Sequence, residues 1–362
     1  MEKRNSKIEL LRIVAMMCIV ISHYYVHGGF DVSQLMRGGY YLNANFLNCL
    51  SLGNLGVDIF VCISGYFLIE KRFNLKRFLQ LILQVFFYSA AIYAIWVATG
   101  LSAFSLKNLI KALLPTTFTQ YWFFTAYIVL FLLIPFINQG LKALNRSTYI
   151  NYLVVIILLW CVAPTFTTRS FYGSEIPQFV MLYSIGAYLR LYPDCKLCNK
   201  KTGIAMTAAS FFLMILSTVT LNTLGSKYEI FSGRGSYFYG RTSLLVITCA
   251  TGLLIWAINS KPIESKLINE ISACTFGIYL IHDNNYVRPW LWKTVFKNAT
   301  WAESAVLPLH MVASVLITFI ACCCIEFLRR KTIEKIYLPQ VEQISKFLQN
   351  KYEGLHKKEA EI

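Results

Sequence analysis

The sequence predicts an all-α polytopic membrane protein that crosses the bilayer about ten times and keeps both termini in the cytoplasm. Three observations lead there. Of the 362 residues, 56% are hydrophobic and only 14% charged, against about 45–50% apolar and about 25% charged in an ordinary soluble domain. With a mean hydropathy of +0.53, that excludes a soluble enzyme. The apolar residues arrive in blocks of about 16–24, enough at about 1.5 Å per residue to cross a hydrocarbon core of about 30 Å. The excess of 34 Lys and Arg over 18 Asp and Glu falls mainly in alternate loops.

The first block, 8–26, follows Lys3, Arg4 and Lys7. It is too long for a secretory signal and lacks an Ala-x-Ala-like cleavage pattern, so it reads as a retained span. Further blocks follow at 53–69, 78–98, 122–137, 149–163, 176–192, 202–221, 237–258, 267–282 and 304–328. Each is continuously apolar, which means helix; barrel strands would alternate over about ten residues. With the N terminus inside, twenty-three basic residues fall on the cytoplasmic side. Nine fall outside (Arg37, Lys107, Lys111, Arg169, Lys227, Arg234, Arg288, Lys293 and Lys297), and Arg12 and Arg241 lie within spans. The positive-inside rule supports that orientation, and the net charge of +16 is then topological, which argues against nucleic-acid binding.

The chain divides into a membrane domain, 1–330, and a cytoplasmic tail, 331–362. In the tail Val341, Ile344, Phe347, Leu348, Tyr352 and Leu355 recur at helical spacing among Lys346, Lys351 and Lys357, as in an amphipathic helix on the inner leaflet or a frayed tail with some helix. No repeats appear. Most of the 11 cysteines lie within spans as small apolar packers. Cys195 and Cys198 lack a second pair to complete a zinc site, so no metal ligands are expected.

Ionisable residues inside spans are expensive, by about 2.5–3.5 kcal/mol on insertion scales, and point to function. Arg12 and His23 are eleven positions apart in the first span. At 100° per residue they share one face, about 16 Å apart along the axis. Either residue alone has a plain explanation, a snorkelling Arg or a satisfied core His; together they mark a polar seam. Asp58 in the second span lies at the depth of His23, where it either orients that imidazole as a general base or caps the helix start. Ser64 and Tyr66 follow on the same span, with Gly65 permitting close helix approach. Arg241, His282 and Glu326 lie within spans or at their boundaries, and Trp122 where an aromatic belt is expected. Lys71, Arg72, Lys76 and Arg77 form a basic cluster before the third span.

These residues resemble the acyltransferase family 3 of membrane O-acyltransferases. The resemblance covers the chain to about Arg330 and rests on four ordered segments. They are Leu10-Leu11-Arg12 with His23 at Arg-x10-His spacing; Gly56-Val57-Asp58-Ile59-Phe60 running to Ser64-Gly65-Tyr66; Tyr121-Trp122-Phe123-Phe124 leading to Leu133-Ile134-Pro135; and Thr275-Phe276-Gly277-Ile278-Tyr279-Leu280-Ile281-His282 before a last span ending in Ile325-Glu326. The resemblance implies that a cytoplasmic acyl-CoA, usually acetyl-CoA, donates an acyl group to a hydroxyl of a cell-surface or exported glycan. His23 would be the general base or an acyl relay, and Arg12 would help position the donor. Many members carry Arg-x-x-Arg at the start of the third span; here Arg77 is followed by Gln80, which leaves residues 71–77 as a generic patch for CoA phosphates. Ser64, Tyr66, Trp122, Arg241, His282 and Glu326 are candidates for acceptor binding or oxyanion stabilisation. No cofactor is expected to remain bound. The location implied is the plasma or inner membrane.

Two other readings use the same residues. A transporter or flippase for a glycan or lipid would employ Arg12, His23 and Asp58 as a relay, although paired broken helices are not evident. A membrane glycosyltransferase would be expected to carry a large, acid-rich outer loop, and the longest outer loops are short on acids.

Overall fold

The computed structural model describes residues 5–167, 175–196 and 198–359, with side chains to 351. Among them every regular element is helical. Seven apolar stretches are long enough to cross a membrane. They are α1 (Ser6–Val26); Tyr41–Leu68, whose second part is α2 (Gly53–Leu68); α3 (Leu75–Ala98); α4 (Trp122–Ala143); α5 (Arg146–Thr167); α7 (Lys200–Gly225); and α10 (Leu307–Lys331). The remaining expected blocks form the shorter helices α6 (Glu175–Leu191), α8 (Leu244–Ile258) and α9 (Lys266–His282), of 17, 15 and 17 residues. The tail forms α11 (Ile333–Glu359). The structure therefore supports a multi-pass helical membrane protein, with seven helices among the described residues long and apolar enough to span.

Local chemistry sets the boundaries. Asn74 caps α3 by accepting from the Arg77 backbone N–H, and Pro308 enters α10 in its first turn, where its missing N–H costs nothing. The expected span 237–258 is corrected. Tyr237–Tyr239 is a 3-10 turn, Gly240 and Ser243 are extended, and α8 starts only at Leu244. Arg241 thus sits in a turn ahead of the helix.

Helix α1 packs against α2, α8, α9 and α10. Close approach depends on small residues. Gly56 faces the backbone of Ala15, and Gly65 and Gly186 meet the backbones of Tyr183 and Cys62 across the α2–α6 crossing. Large apolar side chains such as Phe136, Phe212, Leu309 and Ile320 are exposed on the outside of the bundle, as a lipid-facing surface requires.

Hydrogen bonds and ion pairs show which segments share an end. The Ser6 backbone N–H donates to Ile263 O at 2.9 Å, Arg190 pairs with Glu70 at 2.7 Å, Tyr192 Oη donates to Leu144 O at 3.0 Å, Lys76 pairs with Glu342 at 2.7 Å and Arg330 with Glu270 at 3.4 Å. The start of α1, the start of α11 and the loops carrying most of the basic residues therefore gather at one end, here called the basic end. Lys3, Arg4 and Arg169, counted above, lie outside the described residues, as do the side chains of Tyr352, Leu355, Lys357 and Lys358. Within α11 Val341 turns inward, whereas Ile344, Phe347 and Leu348 are exposed.

Candidate functional site

From the basic end a cavity of about 380 Å³ rises between α1, α2, α3, α4, α9 and α10. Its mouth is cationic, lined by Arg12, Arg77, Arg329 and Arg330 together with Glu326 and Glu334. Ser64, Gln84, Tyr127, Ser272 and Thr275 add polar groups to its walls, and Ile19, Phe60, Phe123 and Tyr279 also line it. Arg12 is bonded to Glu9 at 3.2 Å, and Glu9 in turn accepts from Ser272. Of the basic cluster at the start of α3, Arg77 reaches the lining; Lys76 is engaged with Glu342, and Lys71 and Arg72 are exposed.

Glu326 is almost fully buried and saturated with donors. It accepts from Tyr88 Oη at 2.6 Å, from Gln84 Nε2 at 3.0 Å and from two nitrogens of Arg329 at 2.8 Å each. Arg329 also reaches Glu334 and Tyr337 Oη, both at 2.7 Å. A carboxylate held in this way anchors the wall and has little capacity left for a substrate. Ser64 Oγ donates to Phe60 O and lies 3.1 Å from Tyr127 Oη.

One helical turn beyond Ile19 stands His23, 2.9 Å from His282 Nε2 through its Nδ1. His282 is completely buried at the last residue of α9, and its Nδ1 lies 2.6 Å from Ile278 O. A carbonyl only accepts, so His282 Nδ1 carries the hydrogen and, in the neutral ring, Nε2 is the acceptor. His23 Nδ1–H therefore donates to His282, and His23 Nε2 is left with its lone pair. That is the tautomer a general base requires. The nearby carboxylate is Asp283, whose Oδ1 is 3.6 Å from His23 Nδ1, 3.0 Å from Arg288 and 4.0 Å from His27 Nε2. Burial raises the Asp283 carboxyl above its usual range, against the opposing pull of His282 and Arg288. Burial, followed by the charges of His23 and Arg288, lowers His27 to about 3, so it is neutral near pH 7.

The expected pairing of His23 with Asp58 is not formed. Asp58 Oδ1 accepts from Gln178 Nε2 at 3.3 Å, and the same amide donates to Arg241 O at 2.6 Å. Asp58 has the right depth but the wrong face: it lies 200° around α2 from Gly56, which packs on α1. Arg241 pairs with Glu175 at 2.7 Å and stacks over Trp122 at 4.6 Å, and Tyr66 faces Arg190 at 5.5 Å. None of Asp58, Tyr66, Trp122 and Arg241 lines the cavity.

The model of acyltransferase family 3, described as an acyltransferase domain, matches residues 5–327. The chain belongs to this family. No curated protein and no solved structure matches it. Family membership supports acyltransferase activity in a membrane setting, with an acyl donor and an acceptor as substrates.

Within this family member, four functional candidates escaped the sequence reading. Arg329 and Arg330 line the mouth; Arg329 pairs with Glu326, and Arg330 turns to Glu270. Asp283 directly follows His282 and is followed five residues on by Arg288, and His27 follows His23 at one helical turn. Those spacings were available as signals.

Proposed function

We propose that the protein is an integral-membrane O-acyltransferase that moves an acyl group, most simply acetyl, from cytoplasmic acyl-CoA to a hydroxyl of a cell-surface or exported glycan. The observation that carries this reading is a histidine in general-base tautomer, His23, placed beyond an arginine-lined cavity in a chain of the acyltransferase family. The clustering of basic residues at the end that holds the start of α1 supports a cytoplasmic position for that end, with both termini inside and about ten crossings. On this reading Arg12 and Arg77, with Arg330 nearby, bind the CoA phosphates at the mouth, for which the planar, multidentate guanidinium is suited. The pantetheine arm then extends toward Ile19 and Tyr279.

His23 Nε2 takes the proton of the acceptor hydroxyl as its oxygen attacks the thioester carbonyl. The tetrahedral intermediate collapses with cleavage of the C–S bond, and the imidazolium returns the proton to the leaving thiolate. Asp283, fixed by Arg288, faces the side of the ring opposite the reacting nitrogen and stabilises the positive charge while it lasts. Membrane vesicles supplied with radiolabelled acetyl-CoA test the reading by following label into glycan. Transfer is expected to disappear in His23→Ala that is still inserted; full transfer by that variant refutes the proposal. A mass comparison of surface glycan with and without the gene identifies the acyl group.

A further inference from the structure

We propose that His23, His27 and Asp283 form a binding site for a divalent transition-metal ion of the zinc type, and that its occupation switches off the base. His23 and His27 are four residues apart at the C-terminal end of α1 and lie on one face, with ring centroids 5.0 Å apart. Asp283 arrives from the end of α9. One donor atom from each of the three lies within 4.8 Å of the others. Asp283 Oδ1 is 3.6 Å from His23 Nδ1 and 4.0 Å from His27 Nε2. Ligands at about 2.0–2.1 Å from a tetrahedral zinc ion are spaced about 3.4 Å apart, so Asp283 Oδ1 closes on the two imidazoles by about 0.2–0.6 Å, and the imidazoles, no more than 4.8 Å apart, close on each other by up to about 1.4 Å through side-chain rotation.

The donor chemistry agrees. Two imidazoles and one carboxylate suit zinc, cobalt or nickel, and three protein ligands leave a fourth position for water. Arg288 donates to Asp283 Oδ1 at 3.0 Å, the kind of outer contact that orients a ligating carboxylate. His27 retains 26% of its side-chain exposure, so an ion has a way in at the end opposite the arginine-lined mouth.

The consequence for His23 follows from its tautomer and rests on the general-base role proposed above. A metal on Nδ1 needs the lone pair of that nitrogen, so the ring hydrogen moves to Nε2. The bond to His282 Nε2 breaks, and the lone pair that would accept the hydroxyl proton is lost. Neutral imidazole goes in and neutral imidazole remains, so no net proton is released.

The test uses the full chain in nanodiscs with a purification tag free of histidine. Cobalt(II) is titrated and its visible d–d absorption followed, then displaced with zinc(II); acyl transfer is measured on the same samples. One saturable cobalt site per chain is expected, weakened by at least about tenfold in His27→Gln. Zinc is expected to inhibit the wild type and to leave transfer by His27→Gln at the rate that variant shows without metal. No saturable cobalt band, or an unchanged one in His27→Gln, overturns the site, and zinc bound without inhibition overturns the switch. Should the wild type transfer nothing even without metal, the proposed reaction fails while the cobalt titration still decides the site.

Discussion

Replacing His282 with Leu removes the acceptor for His23 Nδ1–H while keeping an apolar side chain of similar bulk in a fully buried position. The bond at 2.9 Å fixes both the ring orientation of His23 and the nitrogen that keeps the lone pair. Leaving one buried donor unsatisfied costs about 1–3 kcal/mol, which at about 1.4 kcal/mol per decade is about 5- to 150-fold in rate. Asp283 Oδ1 waits at 3.6 Å and accepts in place of the lost imidazole after a small ring rotation, so the expected loss in kcat lies at the lower end, about tenfold. Adding Asp283→Leu removes that reserve, and the double variant is expected to approach the 10²–10⁴-fold that general-base catalysis contributes, on the order given for such groups. His282→Gln presents an amide oxygen to Nδ1–H and should recover much of the Leu loss. The assay is label transfer from acetyl-CoA at saturating donor, normalised to inserted protein. Wild-type kcat in His282→Leu, or no difference between Leu and Gln, refutes the assignment of His282 as the positioning residue.

Removing one cationic group at the mouth should weaken donor binding and leave the chemical step alone. Arg77→Ala is expected to raise the donor KM about tenfold, the low end for a charge-assisted contact of about 1.5–3 kcal/mol, because Arg77 is exposed; a change confined to kcat contradicts it. Glu326→Gln breaks a buried ion pair, a loss of about 3–5 kcal/mol in general. Arg329 keeps Glu334 and Tyr337, so a destabilisation of about 3 kcal/mol is expected by thermal unfolding in detergent, against less than about 1 kcal/mol for Glu270→Gln at the exposed pair. Asp58→Asn should change stability through Gln178 and leave kcat of the folded protein close to wild type; a collapse of kcat at unchanged stability restores Asp58 to the reaction. Gly186→Val drives a side chain into the Cys62 backbone at the α2–α6 crossing, and the yield of folded protein should fall sharply.

The helical membrane fold was legible because hydrophobic blocks of sufficient length have few other solutions. Its boundaries were less so. Residues 237–243 contain three aromatic side chains and read as the start of a span, but extended backbone at Gly240 and Ser243 delays the helix to Leu244, moving Arg241 out of it. Hydropathy reports transfer preference, and it is blind to a backbone turn made of apolar residues. The burial of His282 escapes hydropathy for a related reason. A histidine at a helix end reads as one that escapes to the interface, yet Tyr121 closes over this end, donating to Leu280 O while accepting from Asn284, so His282 is shut in.

Pairings within one helix survive the step from sequence to structure better than pairings between helices. Arg12 and His23 share α1, so the angle between them is intrinsic to helical geometry. Asp58 and His23 share only a depth, and depth does not say which neighbour a side chain faces. The missing coordinate was nevertheless present in the glycines. Gly53 and Gly56 are one turn apart, and in the structure they meet Ser22, Ala15 and Ile19 of α1. Close helix approach needs such small residues, so they mark the face of α2 that touches α1, and a residue two positions beyond Gly56 must point away from it. By the same logic Gly277, which abuts Glu326, marks where α9 receives α10. With α9 set in that way, the final turn of the helix brings His282 and Asp283 to His23. The hydrogen-bond partner of the catalytic candidate is then the terminal histidine of α9, with the carboxylate that follows it close behind, and Asp58 belongs to the α2–α6 interface.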